Sequence, residues 1–475
     1  MKHTHPVYLL TQLPRFVWLL LLPLARRLTE WGGRIHMGNL PVLFALLLIF
    51  MAAFLRWQTK RWAIRENTLL IRSGIFVQRQ YSIPFSMIAA IRESRGPTLA
   101  LFGARRIQIE TAAGKQAAPA LTLLLNRRDA ADCIAAYAGE PLTPVAQMRG
   151  RDTLLAALST SNFALGLFAA ASVLRGAGKL FGTLVQDRFR EVLTAAQRLA
   201  AAYVPPLLAG IALLALLGWA LHVLKLLELY HRFSLLRGRA VLATQCGLLI
   251  KRRVFMRAAG LSAFAARQTP LLAFIRRAQL GVLYAGRTGG RGEDTFLMPL
   301  YPAGQVQALV RELQGPVDGV ALRPPPRERY RAYFPVFSLF CTLAIAAIIA
   351  VFFTKIPQRT VLLISAAAFS LLLLFFLPAH RRERREGASA DFQIIRTVRG
   401  FAEWTLFLLP GALQGIRLHQ TPGQAENGIC TLRPMIRTTR LEHFPLRNLP
   451  LWEAASSYEN ELDERHVERR PGPDA

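Results

Sequence analysis

Leu69 to Pro84 reads L-L-I-R-S-G-I-F-V-Q-R-Q-Y-S-I-P, and Leu101 to Gly114 reads L-F-G-A-R-R-I-Q-I-E-T-A-A-G. Apolar and polar residues alternate through Ile71-Arg72, Phe76-Val77-Gln78 and Arg106-Ile107-Gln108-Ile109-Glu110, a period of two that predicts strands with one buried face. Gly74, Gly96-Pro97 and Gly114 punctuate the strands as turns. Asn126-Arg127-Arg128-Asp129 then opens a helix, because Ala130, Cys133, Ile134 and Tyr137 recur at the spacing of one helical stripe. Strands closed by a single helix describe a small β-sandwich or barrel plugged by that helix.

The layout recurs. Gly74 maps to Gly247, Arg79 to Arg252, Pro97 to Pro270, and Ile107 and Ile109 to Leu280 and Val282, all at an offset of 173 residues. The second copy also closes on a helical stripe, Val306, Leu309, Val310 and Leu313. A third, degenerate copy follows: Gln420-Thr421-Pro422 echoes Gln268-Thr269-Pro270, and Leu451 to Leu462 behind Pro450 offers a closing helix. The modules run over about 58–140, 229–315 and 390–465.

Long apolar runs separate the modules. Leu154 to Leu174, Leu199 to Leu224, Ala332 to Thr354 and Thr360 to Ala379 each exceed the roughly 18 to 20 residues that cross about 30 Å of hydrocarbon. Leu40 to Leu55 is shorter and bounded by Arg56. Phe16 to Ala25 reads either as a signal-peptide core, though no small-residue cleavage site follows, or as half of a span that begins near Val7. Pairing of the other runs favours three hairpins, near 7–55, 154–224 and 332–379, which return every module and both termini to one compartment. Four Lys/Arg lie in each module-side flank, at 56–65, 225–239, 323–331 and 381–385, so the positive-inside rule assigns that compartment to the cytoplasm.

The order strand, Gly, strand, I-P, strand, G-P, L-F-G-x-x-x-I-x-I-x-T-A-x-G, strand, helix resembles the bacterial pleckstrin-homology-like domain. Its arrangement with paired apolar segments is similar to the YdbT-like multi-pass membrane proteins. The resemblance implies seven-stranded sandwiches, each capped by a C-terminal helix, on the cytoplasmic face of a membrane, and it implies no catalytic residues. The third copy departs from it by lacking the L-F-G-x-x-x-I-x-I segment. The expected fold class is therefore a multi-pass α-helical membrane protein with cytoplasmic α+β modules. The expected division is a transmembrane hairpin (1–57), a PH-like domain (58–152), a second hairpin (153–224), a second PH-like domain (225–331), a third hairpin (332–380), a degenerate PH-like domain (381–465) and a disordered tail (466–475). The expected location is the bacterial cytoplasmic (inner) membrane.

Composition restricts the function. The chain has 475 residues and a formal net charge of +30, with 59 Lys+Arg against 29 Asp+Glu, yet 52% of it is hydrophobic. A mean hydropathy of +0.28 separates it from disordered basic proteins. Nucleic acid is not an expected partner, because the modules lack the aromatic pattern on which single strands stack. Four cysteines, Cys133, Cys246, Cys341 and Cys430, lie far apart and support neither a disulfide framework nor a zinc site. The nine histidines make no metal-ligand cluster. Gly289-Gly290-Arg291-Gly292 lacks the Gly-Lys-Ser/Thr of a phosphate loop and reads as a turn. No catalytic residue, metal or cofactor is expected.

Basic clusters are the remaining functional chemistry. Arg105 and Arg106 in the first module, and Lys251, Arg252, Arg253, Arg276 and Arg277 in the second, fall on or near predicted strands. Net charge is +7 over 58–152, +12 over 225–331 and +1 over 381–475. Beside an anionic leaflet each such cation gains roughly 1 kcal/mol, whereas the plainer reading is a solvated charge that only sets topology. The sequence thus leads to a non-enzymatic membrane scaffold whose modules contact partner proteins, one another or anionic lipid headgroups, and the resemblance implies a related membrane protein as a partner. The alternative is a component or regulator of a membrane transport or export system.

Overall fold

The computed structural model describes residues 1–9, 40–75, 77–111, 121–160, 206–284, 296–314, 386–389, 393–437 and 442–451. The expected spans at 332–354 and 360–379, most of that at 154–174, the hairpin turns, the Gly289–Gly292 turn and the tail lie outside them. The chain divides into two compact units, Met1–Ala259 and Gly260–Ala475.

In the first unit β1 (Lys2–His3) precedes α1 (Leu40–Thr59), which leads into β2 (Arg61–Arg65), β3 (Thr68–Ser73) and β4 (Arg79–Pro84). These strands form an antiparallel sheet in the order β1-β2-β3-β4. β5 (Ile88–Arg95), the short helix α2 (Pro97–Leu101), β6 (Ala104–Thr111), β7 (Leu121–Asn126) and α3 (Arg127–Ala138) complete the first repeat. There follow β8 (Thr143–Gln147), α4 (Gly150–Thr160), α5 (Pro206–Tyr230), β9 (Ser234–Arg237), β10 (Val241–Cys246) and β11 (Lys251–Arg257). A seven-stranded sheet runs β7-β6-β5-β11-β10-β9-β8, so strands of the first and second repeats are hydrogen-bonded side by side through β5 and β11.

The core follows that sheet. Ile91, Ile107, Ile109 and Leu123 pack with Leu69, Ile71 and Phe85 of the first repeat and with Val241, Ala243 and Phe255 of the second. Helix α3 forms where its apolar stripe requires, burying Ala130, Cys133 and Tyr137, and stops at Gly139 with φ 73°. The buried Tyr137 hydroxyl donates to the Ile88 or Ala89 carbonyl, at 3.2 and 3.1 Å, and so pins the helix to the start of β5.

The second unit contains β12 (Leu261–Gln268), α6 (Pro270–Phe274), β13 (Arg277–Tyr284), β14 (Phe296–Pro302), α7 (Val306–Gln314), β15 (Gly387–Ala388), β16 (Ile394–Arg399), β17 (Ala402–Leu408), β18 (Leu413–His419), α8 (Pro422–Glu426), β19 (Ile429–Ile436), β20 (Glu442–His443) and β21 (Leu446–Pro450). Its larger sheet runs β14-β13-β12-β17-β16-β15, again joining two repeats edge to edge, this time through β12 and β17. Helix α7 buries the expected stripe of Val306, Leu309, Val310 and Leu313. Ala263 and Ala265 of the second repeat enter a core with Ile395, Leu406, Leu432 and Phe444 of the third.

The third repeat keeps a device that its sequence hides. Helices α2, α6 and α8 each start on a proline, whose fixed φ and missing donor suit a first turn. Each is followed by a left-handed residue: Gly103 (φ 68°), Arg276 (φ 54°) and Gly428 (φ 63°). The next strand begins directly after it. Thus the turn survives at Asn427-Gly428 although the L-F-G letters do not.

The expected fold class is corrected. Four β-sheets dominate the described fold where a multi-pass helical architecture is expected, and among the described residues no helix is long and apolar enough to cross a membrane. Apolar length does not reveal whether a helix face meets lipid or protein. The C-terminal part of α5 buries His222, Val223, Leu226, Leu229 and Tyr230. Its Glu228 carboxylate accepts the Ile250 backbone N–H at 2.9 Å, which fastens the helix to the β10–β11 hairpin. The end of α1 is tied down likewise, the Trp57 indole N–H donating to the Thr4 carbonyl at 2.8 Å.

Candidate anion-binding site

The register of the β5–β11 junction gathers charge. Arg253 faces Glu93 and Lys251 faces Arg95 directly across the two strands. Side chains two residues apart share a sheet face, so Glu93 and Arg95 lie on the side of Ile91, and Lys251 and Arg253 on the side of Phe255. The apolar end of that face is core; the charged end opens as a pocket of about 420 Å³. Its lining also includes Arg105 from β6, Gln245 and Cys246 from β10, and His231 and Arg232 behind α5. The last two are carried there by the hairpin after β10, where the Gly247 N–H donates to the His231 carbonyl at 3.0 Å.

One carboxylate meets five Lys/Arg side chains in this pocket. Glu93 is 5% exposed. The Arg105 guanidinium donates to its Oε1, and Arg253 Nη1 lies 3.9 Å from its Oε2. Burying that carboxylate is tolerable because it is paired. Arg95, Arg232 and Lys251 have no carboxylate partner among the described residues. Like charges set directly opposite across a ladder repel, and the Lys251–Arg95 pair is therefore a place where a bound anion relieves repulsion as well as gaining attraction. Guanidinium and ammonium donors together suit the oxygens of a phosphate or carboxylate.

The sequence-chosen residues divide. Arg105, Lys251 and Arg253 line the pocket. Arg106 and Arg252 both stand opposite Ser94, on the reverse face of the sheet. Arg276 and Arg277 belong to the second unit and are not pocket residues; Arg276 occupies the left-handed position after α6. Sequence reasoning passed over Arg95, Arg232 and Glu93. Gly96-Pro97 reads as a turn, and the charge of the preceding Arg95 matters only once β11 is beside β5.

Residues 9–140 match the family described as Bacterial PH domain. The UPF0699 transmembrane protein YdbS of Bacillus subtilis (strain 168) is 28% identical over 87 residues, covering 18% of this chain. The match spans 55% of that relative's length. No solved structure matches.

Proposed function

We propose that this chain, whose likenesses support a bacterial PH-like membrane protein family, is a non-enzymatic scaffold that holds anionic phospholipid headgroups in the pocket between β5 and β11. The observation that carries the reading is the opposition of Lys251 and Arg95 beside Arg232, three cations with no carboxylate partner among the described residues. Such an excess draws in a phosphate, and a membrane leaflet rich in anionic lipid supplies phosphates at high local density. Helix α1 supports the same placement, since Phe44, Leu47, Leu48, Phe50 and Met51 are exposed and offer lipid an apolar surface. The leaflet in this reading is the cytoplasmic one, where anionic lipids lie and the net charge of the first repeats is favoured.

The test is binding of full-length protein to phosphatidylglycerol and to phosphatidylcholine vesicles. Preference for phosphatidylglycerol that falls as salt rises is expected, and the double variant Arg95→Gln, Lys251→Gln reduces it at least fivefold. Equal binding to both vesicles, or an unaffected double variant, contradicts the proposal.

A further inference from the structure

Among the described residues the protein joins its repeats twice with the same kind of strand pair. One partner is the second strand of a hairpin, β11 or β17. The other is the strand that precedes a proline-led short helix, β5 or β12. Both junctions are antiparallel and run over six residue pairs, Lys251↔Arg95 to Met256↔Ala90 and Glu403↔Gln268 to Leu408↔Ala263.

Three repeats leave one strand of each kind over. β4 is the second strand of the β3–β4 hairpin, and β18 precedes α8; both are end strands of their sheets among the described residues. Burial records the difference. β5 and β12 bury their first six residues, while β4 and β18 bury none. Each therefore presents unpaired backbone donors and acceptors, a template for another strand. Val77 beside β4 is 70% exposed and Leu418 on β18 is 39% exposed.

We infer that β4 of one copy of this chain pairs with β18 of a second copy, making between molecules the junction that each molecule already makes twice within itself. Hairpin registers make β4 the counterpart of β11 and β18 the counterpart of β12. Carrying the β11–β5 register across sets Arg79 opposite His419, Gln80 opposite Leu418, Tyr81 opposite Arg417 and Ile83 opposite Gly415. No two permanent cations face each other in that register, and Tyr81 gives Arg417 an aromatic face. The contact is heterologous, one edge meeting a different edge, so it extends to rings or open chains of copies. It is independent of the lipid pocket.

Sedimentation of the full-length protein in mild detergent tests this. The unmodified chain assembles with rising concentration. Tyr81→Lys, which faces Arg417 with a like charge, weakens assembly at least tenfold without lowering the melting temperature, and adding Arg417→Glu restores it. Separately, chains carrying Tyr81→Cys and chains carrying Arg417→Cys form a mutual disulfide under oxidation when mixed. A chain that stays single at all concentrations overturns the inference. So do an unaffected Tyr81→Lys variant, a Tyr81→Cys chain that links to itself as readily as to its complement, and assembly that requires a different protein.

Discussion

At Gly247 the backbone holds φ +103°, and a Cβ there would lie 2.0 Å from the Ile250 carbonyl oxygen. Gly74 repeats the situation, with φ +127° and 1.9 Å to the Val77 oxygen. Both glycines were legible as one repeated turn, because only glycine accepts that geometry cheaply. Gly247→Ala is expected to cost more than about 1 kcal/mol, read as a lower urea midpoint. Gly96→Ala, whose Cβ meets nothing within 4 Å, should stay within about 0.5 kcal/mol of the parent. Lys60 is a different case, which no pattern announces. Burial lowers its ammonium from the ordinary 10.5 to about 8, while Nζ donates to the Thr122 carbonyl at 2.8 Å and sits 4.6 Å from the Tyr8 ring centre. Between those two values the unfolded chain holds the proton and the folded chain has released it, so this group's contribution to stability rises with pH across that window. Lys60→Met should flatten the rise, measured as the difference between melts at the two ends of the window.

Elements were legible where their reasons are local. The stripe of α3 and the period of β6 depend on neighbours a few residues away, and each forms as its spacing requires, whereas Gly96-Pro97, which reads as a turn, opens the short helix α2. The β5–β11 pair depends on two edges from different repeats, and no local pattern encodes which edge meets which. Its consequence is that the first repeat's core includes Phe255, a residue of the second. Phe255→Ala should cost about 3–5 kcal/mol and speed amide exchange in α3 and β6 as well as in β11; exchange confined to β11 would mean that the two repeats unfold separately. Tyr137→Phe removes the hydroxyl that ties α3 to β5 and should cost about 1 kcal/mol, visible by the same melts. The apolar runs are ambiguous for an equally physical reason. A span for lipid and a helix face for protein have the same composition, and α5 spends its last turns on protein.

Across the whole molecule the net charge of +30 separates into sites with different meanings. Sequence clusters located Arg105, Lys251 and Arg253 but grouped them with Arg106 and Arg252, which strand alternation sends to the other face. The pocket itself was not legible, because Arg95 and Lys251 are 156 positions apart and acquire a joint role only through the junction. Each of these cations is expected to contribute roughly 1 kcal/mol to adhesion at an anionic surface, and less as salt shortens the screening length. Cys246 lines the same pocket, while Cys133 and Cys430 are buried. The most direct measurement is the alkylation rate of Cys246, followed by peptide mass in the full-length protein with added vesicles. Phosphatidylglycerol vesicles should slow it severalfold relative to phosphatidylcholine, with the protection lost in Arg95→Gln, Lys251→Gln. An equal rate with both lipids would contradict headgroup binding in this pocket.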